Sequence, residues 1–262
     1  MSDIGQKGSK LYGKMEDKEF YRQSTPNVHI SQAVLIVGSS TSISGTDPKA
    51  VWDTLINTST WPQWNSFCPR VTIREQPAQS VADGNNASAV TPPSPVLQLG
   101  TRMTFHVDMD SSTPSYSAKK KNNGSDGTGD QPKRKLRPMS LVVTLFEPPG
   151  SSTKEPGRIA WAGDPTGPGG FPSWLHFVER VHEISQEEEE EGIVEETGQE
   201  GRTLGGRTAR MMTNVRNWEL QAGWLAYVIR WLFGQVLHRK FEIWVEDLKI
   251  FVEERAEHEG SE

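Results

Sequence analysis

Read for the spacing of apolar and polar positions, the chain separates into short alternating runs and one long helical run. In LGTRMTFHVDM, residues 99–109, Leu99, Met103, Phe105, Val107 and Met109 fall on one side. Arg102, Thr104, His106 and Asp108 fall on the other. That two-residue period predicts a half-buried strand. Runs rich in β-branched and apolar residues at 33–45, 69–73, 139–147, 157–164, 174–184 and 207–220 predict further strands. DPKAVWDTLIN predicts a helix: Asp47 can cap it, and Pro48 occupies the first turn, where a missing N–H costs nothing. Val51, Trp52, Leu55 and Ile56 make its apolar face. In WPQWNSFCP, Pro62 and Pro69 confine any helix to a short turn that carries Trp61, Trp64 and Phe67 on one side.

From Gly223 to about Glu257 the chain has no proline, and the spacing predicts one helix close to about 50 Å long. Between Trp224 and Leu237 only Arg230, Gly234 and Gln235 are not apolar. The second half is amphipathic, with Phe241, Trp244, Val245, Leu248, Phe251 and Val252 on one face. The order is a strand, two short helices, five or six strands and a long helix. Short connections between alternating strands favour antiparallel pairing. The final helix is the only element long enough to cover the apolar face of such a sheet.

Composition locates what lies between these elements. The segments 76–97, 110–137 and 185–206 are rich in serine, glycine, proline and charge, too poor in apolar area to offset the entropy of ordering. They are expected to be disordered inserts in one domain spanning 33–257, preceded by a flexible polar arm, 1–32, and followed by a tail, 258–262. The net charge of −6 argues against a nucleic-acid binder. The charge is concentrated in blocks: Glu187–Glu191 in one insert and a basic stretch in another. Lys120, Lys121, Lys133, Arg134 and Lys135 in that stretch have the spacing of a two-part nuclear import signal, although such runs arise easily by chance. A single cysteine, Cys68, excludes an internal disulfide and suits a reducing compartment. With no apolar leader after a basic start, the expected location is cytoplasmic, with the nucleus as the alternative.

The residues VWDTLIN and WPQWNSF carry a resemblance. Val51, Trp52, Leu55, Asn57, Trp61, Pro62, Trp64, Asn65 and Phe67 resemble the opening of the SRPBCC, or START-like, helix-grip superfamily, in particular its polyketide cyclase and lipid-binding branch; Asn57 stands where an aspartate is commoner. ELQAGWLA, 219–226, and FEIWVEDLKIFVEE, 241–254, resemble that group's last strand and closing helix. The resemblance implies an α+β helix-grip fold, with a curved antiparallel sheet wrapped around a long C-terminal helix and a cavity between them. It also implies an apolar small-molecule ligand such as a lipid, sterol, polyketide or quinone, and no cofactor. It does not imply one activity, because members of the group carry ligands, bind ubiquinone, cyclise or dehydrate polyketides, or bind proteins.

The candidate site follows from both lines. Trp64, Met103, Phe105, Val107, Leu141, Val143, Trp161, Met211, Leu225, Val228 and Leu232 are the expected ligand-facing set, which in such a fold is also the core. Trp61, Trp64 and Phe67 read first as a plug closing the barrel end, and secondly as a pocket mouth. Cys68 reads as a buried thiol. Asn65 is expected to bond the backbone of its own turn. On the strand at 174–184, alternation favours the phase that turns Leu175, Phe177 and Val181 inward, leaving His176, Arg180 and His182 outside. In the opposite phase they would join an apolar pocket, where His176 or His182 could act as acid or base. No histidine pair has a third ligand near it for a metal, and the Gly167–Gly170 run lacks the strand–helix frame of a phosphate site.

Three functions stay open on this reading. The first is a binding protein that carries or sequesters an apolar molecule; the second, a cyclase or dehydratase using a cavity histidine; the third, a protein-interaction module acting through the charged inserts. The apolar half of the last helix would line the entrance, and transient membrane contact fits it too.

Overall fold

In the computed structural model of the chain, residues 22–77, 93–110, 112–116, 118, 135–150, 155–190 and 209–259 are described. Strand β1 spans Leu35–Ser44, helix α1 Pro48–Ile56, and the single turn α2 Trp61–Trp64. Strands β2 (Arg70–Glu75), β3 (Arg102–Val107), β4 (Arg137–Glu147), β5 (Gly157–Gly163), β6 (Phe177–Glu190) and β7 (Ala209–Ala222) follow, and helix α3 occupies Trp224–Glu259. The seven strands form one curved sheet in the order β1-β7-β6-β5-β4-β3-β2, every pair antiparallel. Strand β1 closes beside β7, and α3 lies against both. This is the α+β helix-grip arrangement.

Local chemistry sets the elements. Asp47 Oδ1 accepts from the backbone N–H of Lys49 at 2.9 Å, and Pro48 starts α1. Trp61 donates its indole N–H to the carbonyl of Leu55 at 3.1 Å, so α2 is pinned under α1. Asn65 Oδ1 accepts from the Cys68 N–H at 2.7 Å and holds the turn that leads into β2. The junction of β7 and α3 depends on Gly223, at φ 91°. A Cβ there would lie 2.7 Å from the Leu175 carbonyl oxygen. The core is one cluster, with Trp61, Trp64, Trp161, Trp244 and Phe241 among its largest fully buried side chains.

Several boundaries differ from the expectation. Strand β3 begins at Arg102, so Leu99 sits in the preceding turn, 57% exposed, and does not face the core. Residues 93–97 are tied to the domain: Asn57 bridges to Val96, Thr58 donates to the Pro95 carbonyl at 2.7 Å, and Leu97 is buried. Residues 185–190 are strand, since β6 and β7 pair through Glu190↔Ala209. Their ladder outruns the sheet, because β5 pairs with β6 only as far as Ile184 and β1 with β7 only as far as Met212. Within 110–137, Tyr116 donates its backbone N–H to Asp247 Oδ1 at 2.8 Å, and Arg137 opens β4. Residues 1–21 of the arm and residues 78–92, 111, 117, 119–134 and 191–206 of the inserts lie outside the described residues, Lys120, Lys121, Lys133 and Arg134 among them.

Part of the arm packs on the sheet. Asn27 donates its backbone and side-chain N–H groups to the two oxygens of Glu179, each at 2.7 Å. Trp218 donates its indole N–H to the Ser24 carbonyl at 3.3 Å. Ala160, Val181 and Trp218 form a small apolar cluster on this outer face. The phase expected for the 174–184 strand is therefore reversed: Glu179 and Val181 face outward under the arm, while Val178, Arg180 and His182 face α3 and Ile184 joins the core. Alternation could not decide this, because the sheet buries apolar residues on both faces at β6.

Candidate functional site

Between α3 and the concave sheet lies a cavity of about 430 Å³, within the usual range of small-molecule sites. Phe105 and Val107 of β3, Leu141 of β4 and Trp161 of β5 form its floor, and Ile229, Phe233 and Leu237 of α3 cover it. Phe67, from the turn after α2, completes the apolar lining. Phe105 is held edge-on by Trp61 at 5.2 Å and by Trp161 at 5.5 Å. Phe171 and Arg137 line the cavity and are also exposed, which marks the side that meets solvent. Arg137 lies over the Phe233 ring at 5.6 Å.

One wall is polar. His176, Arg180, Glu219 and Gln221 line it, from β6, β7 and the residue before β6. Arg180 donates from Nε at 2.9 Å and from Nη2 at 2.7 Å to Glu219 Oε2. Gln221 Nε2 donates to Glu219 Oε1 at 2.6 Å, and His176 Nε2 lies 3.1 Å from Gln221 Oε1. The Arg180 guanidinium rests over Phe241 at 4.1 Å and Phe67 at 5.4 Å. A buried ion pair is tolerable here because both partners carry further contacts.

The loop after β5 forms the rim. Asp164 is buried and takes Arg102 Nη1 at 2.8 Å, Thr166 N–H at 3.0 Å and Thr166 Oγ1 at 2.7 Å, together with Arg74 Nη2. Burial alone would raise the Asp164 carboxyl, but these donors outweigh it and hold the group well below the usual carboxylate range. The loop is thereby clamped over β4, where Ser140 Oγ donates to the Pro168 carbonyl at 2.7 Å. Gly169 and Gly170 can then form cavity wall. The Gly167–Gly170 run thus shapes the entrance.

The expected site residues distribute as follows. Phe105, Val107, Leu141 and Trp161 line the cavity. Trp64, Met103 and Val143 are buried in the core outside the lining; Trp64 packs on Trp244 at 5.7 Å and Phe251 at 6.3 Å as a plug. Met211 borders a different hollow, beside Gly45–Lys49. Leu225 is half-buried, and Val228 and Leu232 are exposed at 44% and 52%, because this half of α3 turns one apolar flank outward. Trp224, Tyr227 and Trp231 share that exposure. His176 is on the cavity wall. His182 is not: it is fully buried between Trp161 at 4.4 Å and Trp244 at 4.5 Å, and neither ring nitrogen has a hydrogen-bond partner among the described residues. Burial, and then the charge of Arg180, lower its pKa well below 6.5. His106 lies on the other face, with Arg70 and Thr72 as partners. Gln221 and Phe171 were missed; Gln221 could have been found as the second inward neighbour of Glu219 on β7. Among the described residues no group of three or more His, Cys, Asp or Glu is placed to hold a metal ion, and no helix is long and apolar enough to cross a membrane.

No protein-family model matches the chain. A curated protein of Penicillium oxalicum described as "Oxopyrrolidines biosynthesis cluster protein O" is 35% identical over 223 residues, covering 85% of this chain and 89% of that protein. Among solved structures, a hypothetical protein of Helicobacter pylori aligns over 83% of this chain and 87% of its own, with TM-score 0.47 and 12% identity. The Zhui aromatase/cyclase of a Streptomyces species aligns over 84% and 94%, with TM-score 0.44 and 10% identity.

Proposed function

The chain belongs to the family of the oxopyrrolidines biosynthesis cluster protein O, and from that membership we propose that it binds an apolar small molecule made by a biosynthetic pathway, such as an oxopyrrolidine or its precursor. The observation that carries this reading is an apolar cavity under α3 with a single polar wall. Removing the apolar body of a ligand from water supplies affinity, and a few fixed polar groups orient it. Arg180 spends Nε and Nη2 on Glu219. Its Nη1 forms no hydrogen bond among the described residues and would donate to a ring carbonyl. The role is to hold or deliver the molecule. Native mass spectrometry of the protein purified from its own host, with solvent extraction of what it carries, should recover one mass or a narrow series. Repeatedly empty protein would overturn the reading.

A second reading, cyclase or dehydratase chemistry, is favoured by one observation: His176 stands on the cavity wall rather than outside the sheet. A base there could take a proton from a bound chain held folded for reaction. Returning the recovered molecule to purified protein separates the two, since a carrier releases it unchanged and an enzyme does not. His176→Phe should then abolish conversion and keep binding.

A further inference from the structure

The polar wall is directional, and its direction fixes which nitrogen of His176 carries the proton. A carboxylate can only accept hydrogen bonds. Glu219 faces a permanent cation, with two Arg180 N–H groups on Oε2. Its Oε1 therefore receives the amide N–H of Gln221, 2.6 Å away. With the amide reversed, two oxygens with no proton between them would face each other at that distance. The Gln221 oxygen is thus committed to the other side, where His176 Nε2 lies 3.1 Å away. A carbonyl oxygen cannot donate, so Nε2 must. Of the two neutral tautomers only the one protonated at Nε2 fits, and it leaves a lone pair on Nδ1. Among the described residues the ring makes no other hydrogen bond, and its remaining ring neighbour is the edge of Phe171 at 6.0 Å. His176 is 9% exposed and lines the cavity.

We infer that the ligand bears an acidic hydroxyl, a phenol or an enol, which it donates to Nδ1 of His176, and that Gln221 is the positioning residue that keeps His176 in the accepting tautomer. This rests on the cavity being a ligand site. Glu219 and Arg180 act one step further back: the ion pair orients the amide, and the amide orients the imidazole. An apolar ligand whose hydroxyl is methylated would bury an oxygen with no proton to offer, leaving the Nδ1 lone pair unmatched.

The test has two arms on the full chain. In nitrogen NMR of isotope-labelled protein at about pH 8, where free histidine is neutral, His176 should show a protonated Nε2 and an unprotonated Nδ1. In Gln221→Met, which keeps the length and removes the acceptor, the two signals should move toward each other as the tautomers mix. A merely structural glutamine would not move them. In calorimetry, naphthol should bind roughly fivefold more tightly than its methyl ether, the equivalent of about one net hydrogen bond. That ratio should fall to about one in Gln221→Met and in His176→Phe. A protonated Nδ1 in the wild type, or equal affinity for the two probes, overturns the inference while leaving the cavity reading intact. Should neither probe bind, the cavity reading fails, and the hydroxyl assignment that rests on it falls with it whatever the tautomer. The wild-type measurements keep their force even if Gln221→Met does not fold.

Discussion

Trp64 touches Trp244 and Phe251 on α3 and is 1% exposed, so its truncation leaves a void where the helix meets the turn. Trp64→Ala should destabilise the domain by about 3–5 kcal/mol in urea unfolding, the range for an aromatic removed from a core. A shift near zero would mean that the indole does not plug the barrel. His182 gives a pH signature. Its folded pKa lies well below 6.5 because it is buried and because Arg180 is near. Below the unfolded value the unfolded chain takes up a proton that the folded chain refuses, so the contribution is intact above about pH 6.5 and is lost as pH falls beneath it. The urea midpoint should drop between about pH 7 and about pH 5, and His182→Phe should make that drop smaller. An equal drop in the variant would refute the assignment. Asp164 acts in a lower window: its contribution is present above the ordinary carboxylate value and is lost only as pH falls below about 4. At this scale the Trp61–Phe67 motif was legible because prolines and aromatics allow few local conformations. The inward turn of His176 and Arg180 was not, because alternation needs one wet face and β6 has none.

At the scale of elements, two glycines separate loop from helix. A Cβ on Gly170 would lie 2.3 Å from the Asp164 carbonyl oxygen, while one on Gly234 in α3 meets nothing within 4 Å. Gly170→Ala should cost about 1–3 kcal/mol through overpacking. Gly234→Ala should add about 0.5–1 kcal/mol by removing the entropic penalty of glycine in a helix. Thermal melts of the two variants should therefore move in opposite directions; a shared sign would discard the clamped-loop account. Strand and helix order could be read from the sequence, because each element is marked by its own period or cap. The edges were less legible: Leu97 and Val28 are buried inside stretches whose average composition reads as loop, and a single apolar anchor hardly alters such an average. The glutamates of β6 read as a solvated loop for the same reason.

For the whole molecule, the cavity can be filled without touching the polar wall. Met139 is a half-buried lining residue, and Met139→Trp should occupy the space a ligand needs. Extraction should then recover no small molecule, while the melting temperature stays level or rises. A fully loaded variant would place the ligand elsewhere. Beyond Ile184 and Met212, β6 and β7 pair only with each other among the described residues, forming a two-stranded tongue whose outer backbone edges could recruit the tongue of another copy. Glu187–Glu190 lie on it, and like charges on two approaching edges repel. Exchanging these four glutamates for threonine should turn a well-behaved sedimentation boundary into a self-associating one, and salt should push the native chain the same way by screening the charge. The acidic run would then serve to keep each molecule apart from its neighbours.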